Sequence, residues 1–356
     1  MEIRMTTEVS LAEAEEAILA FGNQNAIHLV GEPGVGKTAM FERIVAKTGF
    51  RGVYIDTPNT ELGDIGIPMP NHETKTTSLY PNEAWGFHRN EPLCIFIDEF
   101  TKPSSIAVQN MLHPLLNERR IGGMYLHPDS IVVTAGNNST DGVGDMLKAH
   151  SLNRITVVPV RKPTSEEWIE WGAQSGIAAE ALAWVKAYPH ALASYRDAGQ
   201  AENPYIFNPL NGNVRTFCSP RSLAKASNII RMRDELGDAL LPALAGTIGE
   251  PAARQMEALV NLSDQLPLFE NIVKDPTKTK VPDNDSVSAL FILAFSLSSR
   301  VTAETIDAVM EYTNRWTHFE AFALFVTSLA SNKSKVGMAC KCRAFTQAAA
   351  KLGKYF

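Results

Sequence analysis

Cysteine is scarce in this chain, with four residues among 356. So few thiols argue against a disulfide-stapled fold and favour a reducing compartment. Cys340 and Cys342 form a C-x-C pair, but no second pair and no histidine cluster stand at a spacing that completes a metal site. The sequence therefore predicts free thiols rather than a zinc site.

Long apolar runs and an export signal are also lacking. The most apolar stretch, Ala289 to Leu297, is shorter than a bilayer requires. The first ten residues, MEIRMTTEVS, do not have the basic-then-apolar order of a signal peptide. We therefore expect a cytoplasmic protein that has no membrane span.

Positive charge is in the minority, because the chain has a net charge of -6. This balance argues against a protein that coats nucleic acid. The exception is the stretch from Ser331 to Phe356, which has no acidic residue and six basic ones: Lys333, Lys335, Lys341, Arg343, Lys351 and Lys354. We expect this basic tail to be solvated or to face a partner.

The chain has no internal repeat, and its pattern changes from α/β to helical. Helical patterns separate several short apolar runs, which predicts a parallel sheet with right-handed crossovers. After RKPTSEEW the pattern is helical, and a polar connection, KDPTKTKVPDND, interrupts it once. The apolar runs cover residues 26–30, 53–55, 93–97, 131–135 and 155–160.

The octet GEPGVGKT lies between the first apolar run and a helical pattern. It fits G-x-x-x-x-G-K-[ST], with Lys37 placed to reach the β- and γ-phosphates and Thr38 to ligate Mg²⁺. A turn of accidental spacing is the alternative, but a strand, a loop and a helix N-terminus are what anion binding requires. The predicted nucleotide-binding residues are Gly31, Glu32, Pro33, Gly34, Val35, Gly36, Lys37, Thr38 and Ala39.

Two further strands end in polar residues. LCIFIDEF predicts that Asp98 holds the Mg²⁺ shell and that Glu99 polarises the attacking water as general base. Solvated acids at a strand end are the alternative, and the P-loop upstream favours catalysis. In IVVTAGNNST, either Asn137 or Asn138 is placed to orient the same water through its amide, or simply to form a turn.

The order of these motifs resembles an AAA+ ATPase and, within that class, the MoxR-type group. GEPGVGKT is similar to the Walker A box, LCIFIDEF to Walker B, and VVTAGNN to the sensor-1 strand, which assigns the sensor role to Asn137. SLNRI resembles the stretch whose arginine acts on a neighbouring subunit's nucleotide, and SPRS resembles the sensor-2 motif of a lid helix. The resemblance implies that Arg154 acts in trans and that Arg221 acts from the lid.

Two loops also resemble parts of the family, and two residues depart from its usual pattern. Residues 63–80 and 118–130 resemble the family's helix-2 insert and presensor hairpin, which face the pore or the substrate; plain connectors are the alternative. Thr101 stands where the family commonly has Asn, and Asn153 stands where it has Asp. Arg119, Arg120 and Lys102 are rivals of Arg154 for the trans position, although the two arginines fit the presensor hairpin better.

The resemblance implies an α/β P-loop AAA+ core with a parallel sheet (1–162), an α-helical lid (163–267) and a further C-terminal helical region (268–356). It implies a ring-forming ATPase, hexameric as the family is, that uses ATP and Mg²⁺ to remodel a protein client, with a von Willebrand factor A-domain protein as a candidate partner. A nucleic-acid motor or loader on the same ring is the alternative. A non-hydrolysing scaffold is disfavoured by the intact Glu99.

Overall fold

The computed structural model describes residues 7–137, 153–209 and 216–353, and the chain divides into two units, Met1–Lys162 and Pro163–Phe356. The first unit contains helices α1 (Leu11–Phe21), α2 (Lys37–Thr48), α3 (Leu62–Ile65) and α4 (Ile106–Asn117). Its strands are β1 (Ala26–Val30), β2 (Arg51–Asp56), β3 (Gly66–Asn71), β4 (Thr76–Pro81), β5 (Leu93–Asp98), β6 (Arg120–Ile121), β7 (Met124–Tyr125), β8 (Ile131–Gly136) and β9 (Ile155–Pro159).

The second unit is helical throughout the part of it that the structure describes. Its helices are α5 (Ser165–Gln174), α6 (Ala179–Ala187), α7 (Pro220–Arg231), α8 (Arg233–Leu236), α9 (Leu240–Ile248), α10 (Glu250–Ser263), α11 (Phe269–Lys274), α12 (Val287–Arg300), α13 (Ile306–Thr313), α14 (Phe319–Ser331), α15 (Val336–Ala339) and α16 (Arg343–Leu352). Short 3-10 turns lie at Thr57–Asn59, Glu83–Trp85, Phe87–Arg89, Pro189–Leu192 and Gly237–Ala239.

The five apolar runs form one parallel sheet, as the sequence predicts. Its strand order is β2-β5-β8-β1-β9, and every neighbouring pair is parallel. Strands β5 and β8 are buried almost throughout because helices cover both faces of the sheet. The predicted α/β core with a helical region after it is confirmed.

Helices on the two faces of the sheet create two separate cores. Ile27 and Leu29 pack with α1 and α2 through Ile18 and Ile44. Residues of β2 and β5 that point to the other face pack with α4, in a cluster centred on Ile95, Ile97, Leu112 and Leu115. Burial of side chains on both faces fixes the strand register, because a slip of one residue would exchange the faces.

Local sequence signals set the ends of several helices. Ser10 caps α1 through a capping box with Glu13, and Thr164 caps α5 in the same way with Glu167. Gly49 ends α2 with a φ of 70°, in the left-handed region that favours glycine. Helix α10 ends at Ser263, and a turn occupies the residues that precede Pro267.

A single hydrophobic core runs through the helical unit. It extends from Trp168 in α5 to Leu352 in α16, so helices on both sides of the polar connection share it. The apolar stretch Ala289 to Leu297 lies inside α12 and is buried in this core. None of the helices within the described residues is long and apolar enough to cross a membrane.

Candidate nucleotide-binding site

The candidate site lies where three neighbouring strands end. Strand β8 lies between β1 and β5, and the register pairs Val30 with Gly136 and Ile97 with Thr134. The carboxyl ends of parallel strands meet at one edge of a sheet, which is where such sheets bind ligands. The topology therefore brings together the octet after β1, Asn137 after β8, and the two acids at the end of β5.

The octet forms a loop that opens into the N-terminus of α2. Gly34 and Gly36 have φ values of 78° and 116°, which a side chain would disfavour. The Lys37 side chain folds back over this loop and is 7% exposed. Its Nζ donates hydrogen bonds to the carbonyl oxygens of Gly31, at 2.6 Å, and Glu32, at 3.1 Å. The lysine ammonium therefore lies within the loop that would surround a phosphate.

Asn137 connects the loop lysine to the carboxylate of Glu99. Lys37 Nζ donates to Asn137 Oδ1 at 3.1 Å, and Asn137 Nδ2 donates to Glu99 Oε1 at 2.9 Å. The two contacts fix the orientation of the amide, because only its oxygen accepts and only its nitrogen donates. Asn138, the rival in the sequence, lies outside the described residues.

Glu99 has a backbone conformation that non-glycine residues rarely adopt. Its φ is 48°, and Thr57 Oγ1 holds it there by donating to the carbonyl oxygens of Asp98, at 2.9 Å, and Glu99, at 2.7 Å. The next residue, Phe100, donates its amide to Ala135 O at 3.0 Å. Glu99 Oε2 is buried, and no donor within the described part of the chain contacts it. Strain of this kind concentrates at functional sites.

Within the described residues, three donors hold the Asp98 carboxylate. The Glu99 amide donates to Oδ1 at 3.0 Å, and Thr38 Oγ1 donates to Oδ2 at 3.1 Å. The third donor is the Tyr54 hydroxyl, 2.7 Å from Oδ2. The sequence assigns Thr38 and Glu99 to the site, but Tyr54 appears in it only as part of an apolar strand. Its role depends on β2 pairing with β5, which the local pattern does not reveal.

A buried ion pair ties the octet to the end of the α/β unit. Lys162 Nζ lies 2.9 Å from Glu32 Oε2, and the two side chains are 5% and 3% exposed. Beside this ion pair, Gly31 lies close to Val160, the residue that follows β9. A Cβ on Gly31 would be 2.6 Å from Val160 O. Sequence reasoning places Glu32 in the nucleotide loop but gives no indication of Lys162.

His28 lies in the middle of β1, below the loop lysine. Its Nδ1 is 2.7 Å from Thr134 Oγ1 on β8, and the imidazole is almost fully buried. Burial, and secondly the positive charge of Lys37, lowers the pKa of His28 to about 3. The imidazole is therefore neutral at physiological pH.

Arg154, which is predicted to act in trans, differs in its surroundings from its two arginine rivals. Arg154 is exposed just before β9, and within the described residues it has no hydrogen-bond or ion-pair partner. Arg119 donates to Ser130 O, and burial lowers the pKa of its guanidinium. Arg120 pairs with Glu118 at 2.5 Å. Both rivals are thus held at the base of the β6–β7 hairpin.

The remaining predicted residue, Arg221, belongs to the helical unit. It is the second residue of α7, and its side chain is exposed. Ser219 caps this helix through a reciprocal bond with Ser222, and Pro220 occupies the first helical position. The SPRS stretch therefore begins a helix, as expected of the motif that it resembles.

Two hairpins project from the α/β unit. Strands β3 and β4 pair antiparallel with Ile67 opposite Tyr80, and these side chains are 57% and 61% exposed. Leu79 of this hairpin packs against the turn of the β6–β7 hairpin, where a Cβ on Gly122 would be 2.8 Å from Leu79 Cδ2. The two hairpins therefore touch.

Comparison with known proteins finds one family model that matches part of the chain. Residues 26–149 match the family model described as AAA domain (dynein-related subfamily). The match covers the octet, Asp98, Glu99 and Asn137, and it extends over about a third of the chain. The comparison with curated proteins finds no match.

Solved structures resemble the chain at low identity. A mutant form of Thermotoga maritima RuvB is 18% identical, with 84% of this chain and 86% of that chain covered and a TM-score of 0.39. The Thermotoga maritima RuvB Holliday junction branch migration motor is 15% identical, over 84% and 86%, with a TM-score of 0.38. A "putative ATPase" from Cytophaga hutchinsonii is 12% identical, over 67% and 81%, with a TM-score of 0.35. At these values no activity transfers to this chain.

Proposed function

We propose that this protein is a Mg²⁺-dependent ATP hydrolase. The observation that carries the proposal is the line of hydrogen bonds from Lys37 through Asn137 to Glu99, formed across the ends of three adjacent strands. It joins a phosphate-binding cation to a carboxylate that can accept a proton. A turn between structural elements has no need of such a connection, and it would not bury a carboxylate beside a lysine.

The residues fit a nucleotide with its metal. The buried Glu99 Oε2 has no donor within the described residues, so a water molecule can donate to it there. Thr38 Oγ1 and the Asp98 carboxylate offer the oxygen ligands that Mg²⁺ prefers. When bound, the metal would neutralise charge on the phosphates, and the nucleotide would supply the bond to be broken.

In this proposal each side chain has one task. Lys37 binds phosphate, and Asn137 fixes the plane of the Glu99 carboxylate. Glu99 takes the proton of the attacking water through Oε2 while Oε1 remains bonded to Asn137. The strained backbone of Glu99, held by Thr57, keeps the carboxylate directed into the site.

We assign the trans position to Arg154 and the lid position to Arg221. Arg154 is the exposed arginine of its group, whereas Arg119 and Arg120 already have partners at the hairpin. A guanidinium on the surface can reach the γ-phosphate held by a second copy, which makes hydrolysis depend on assembly. We therefore propose a ring, with a hexamer as the resemblance implies.

The exposed hairpins suit contact with a protein client. Ile67 and Tyr80 form an apolar cross-strand pair in solvent, and Tyr125 on the neighbouring hairpin is 67% exposed. Exposed apolar residues grouped in this way mark interaction surfaces. We propose that these hairpins engage the client of a MoxR-type remodelling ATPase, for which a von Willebrand factor A-domain protein is the candidate partner.

Within the helical unit, we propose that residues 163–267 act as a lid and that residues 268–356 form a C-terminal extension. Both segments share one hydrophobic core. The extension would therefore move together with the lid when nucleotide binds. This division follows the resemblance and the polar connection near residue 280.

A trapping experiment tests the proposed task. Glu99→Gln protein, loaded with ATP, should retain a protein client from extracts of the source cell. Adding Ile67→Ser and Tyr80→Ser to this variant should abolish the retention. Stimulation of phosphate release by DNA or RNA, lost as salt rises, would instead favour the nucleic-acid motor.

A further inference from the structure

Tyr54 lies on the edge strand β2 and reaches across to the carboxylate at the end of β5. The register pairs Tyr54 with Phe96 and Asp56 with Asp98, so Tyr54 stands one pleat before the carboxylate on the same face. Its hydroxyl donates to Asp98 Oδ2 at 2.7 Å. This is the oxygen that also accepts from Thr38.

Aromatic packing fixes the tyrosine ring in place. The ring stacks on Phe96 with centroids 6.1 Å apart and planes 8° apart, and it lies 6.0 Å from the ring of Phe41. The hydroxyl therefore needs little further ordering to bond Asp98. A side chain that is 43% exposed would not require this bond for solvation, since water can reach its hydroxyl.

We propose that Tyr54 is a positioning residue for the metal site, an inference that rests on the proposed function. Thr38 and Asp98 are the proposed Mg²⁺ ligands, and Tyr54 holds the Asp98 carboxylate in the plane that faces Thr38. Without the phenol, Asp98 Oδ2 keeps one protein donor and the carboxylate gains freedom to rotate. Metal binding must then fix the orientation of the Asp98 carboxylate, which Tyr54 fixes in the unaltered chain.

The test separates metal affinity from nucleotide affinity. Tyr54→Phe keeps the ring, and therefore the packing on Phe96. Binding of a fluorescent ADP analogue is titrated in EDTA and then at rising Mg²⁺ concentration. We expect the metal-free affinity to change less than about twofold, and the Mg²⁺ concentration for half-maximal effect to rise about three- to tenfold, as the loss of one hydrogen bond from a partly exposed hydroxyl implies.

Two controls make the result specific. Tyr188→Phe, in the aromatic cluster of the helical unit, should leave both affinities unchanged. In an Asp98→Ala background, adding Tyr54→Phe should have no further effect on the Mg²⁺ dependence, because the carboxylate that Tyr54 contacts is already absent.

An unchanged Mg²⁺ dependence in Tyr54→Phe would overturn this inference alone, provided that the unaltered chain binds the analogue in a Mg²⁺-dependent way. An equal loss of affinity with and without metal would also overturn it. If the unaltered chain binds no nucleotide at all, the proposed function fails and the inference fails with it.

Discussion

Lys162 Nζ and Glu32 Oε2 form an ion pair 2.9 Å long in which neither side chain is more than 5% exposed. Glu32 belongs to the phosphate loop, and its carbonyl oxygen also accepts from Lys37. Lys162 is the last residue of the α/β unit. The pair therefore anchors the loop to the point where the chain leaves this unit.

Removing one partner of this pair should cost more than removing both. Glu32→Gln or Lys162→Met takes the ion-pair partner away from a buried charge, at a cost of about 3–5 kcal/mol. Replacing both by Gln and Met removes the charge, so the double variant should recover most of the lost stability. Calorimetry compares the stability of the three variants through their unfolding temperatures. Additive losses would mean that the two charges do not interact.

The buried His28 should make the protein less stable as the pH falls. Its pKa is lowered from 6.5 to about 3 in the folded chain, so between these values the unfolded chain binds the extra proton. Stability from this group is complete above pH 6.5 and is lost below it, by about 1.4 kcal/mol per pH unit. On acidification from pH 7.5 to 5.5, the free energy of unfolding of His28→Asn should therefore fall by about 1.4 kcal/mol less than that of the unaltered chain.

Urea unfolding at the two pH values measures this difference. His72→Asn, on the exposed tip of the β3–β4 hairpin, is the matched control and should follow the unaltered chain. If His28→Asn loses as much stability as the unaltered chain on acidification, His28 is not the group responsible.

Lys335 should stabilise the helical unit by capping α12. Its Nζ donates to the carbonyl oxygens of Ser298, Ser299 and Val301, at 2.9, 2.5 and 3.2 Å. Hydrogen bonds from a cation to the last carbonyls of a helix are favourable, so Lys335→Met should lower the free energy of unfolding by about 1–3 kcal/mol. Lys341→Met, at an exposed position, should change it by less than about 0.5 kcal/mol. Equal effects of the two changes would contradict the cap.

Arg154→Ala should bind ATP almost normally and hydrolyse it on the order of a thousandfold more slowly, because an arginine in trans acts on the transition state. Its subunits keep an intact nucleotide site, and Lys37→Ala subunits keep an intact Arg154. Mixing the two inactive proteins should restore phosphate release. If mass measurements show that mixed rings form and phosphate release does not recover, another residue acts in trans, and Lys102 is tested next.

The sequence predicts the sheet well and places Asp98 and Glu99 at the end of a strand, because both depend on local patterns. Apolar runs identify the five strands, and parallel pairing then places Asn137 beside Asp98 and Glu99. Long-range partners leave no such pattern. Tyr54 reaches Asp98 from 44 positions away in the chain, and Lys162 lies far from Glu32 in sequence. Both contacts depend on strand order, which periodicity does not encode.

The basic tail illustrates the same limit. Lys335 is one of six basic residues that the sequence predicts as solvated or facing a partner, yet its ammonium is bonded to three carbonyls of another helix end. Composition describes the charge of a segment but not which of its side chains fold back onto the chain.

The nucleotide that remains bound to Glu99→Gln protein reports whether Glu99 is the base for ATP hydrolysis. After incubation with ATP and Mg²⁺ and removal of free nucleotide, the denatured protein is analysed for ATP and ADP. We predict that Glu99→Gln retains ATP, because binding by Lys37 and Asp98 is intact while the water has no base. Phosphate release should fall at least about 100-fold, and Glu304→Gln, at an exposed position of the helical unit, should leave it unchanged. Bound ADP, or phosphate release at the rate of the unaltered chain, would show that Glu99 is not the base.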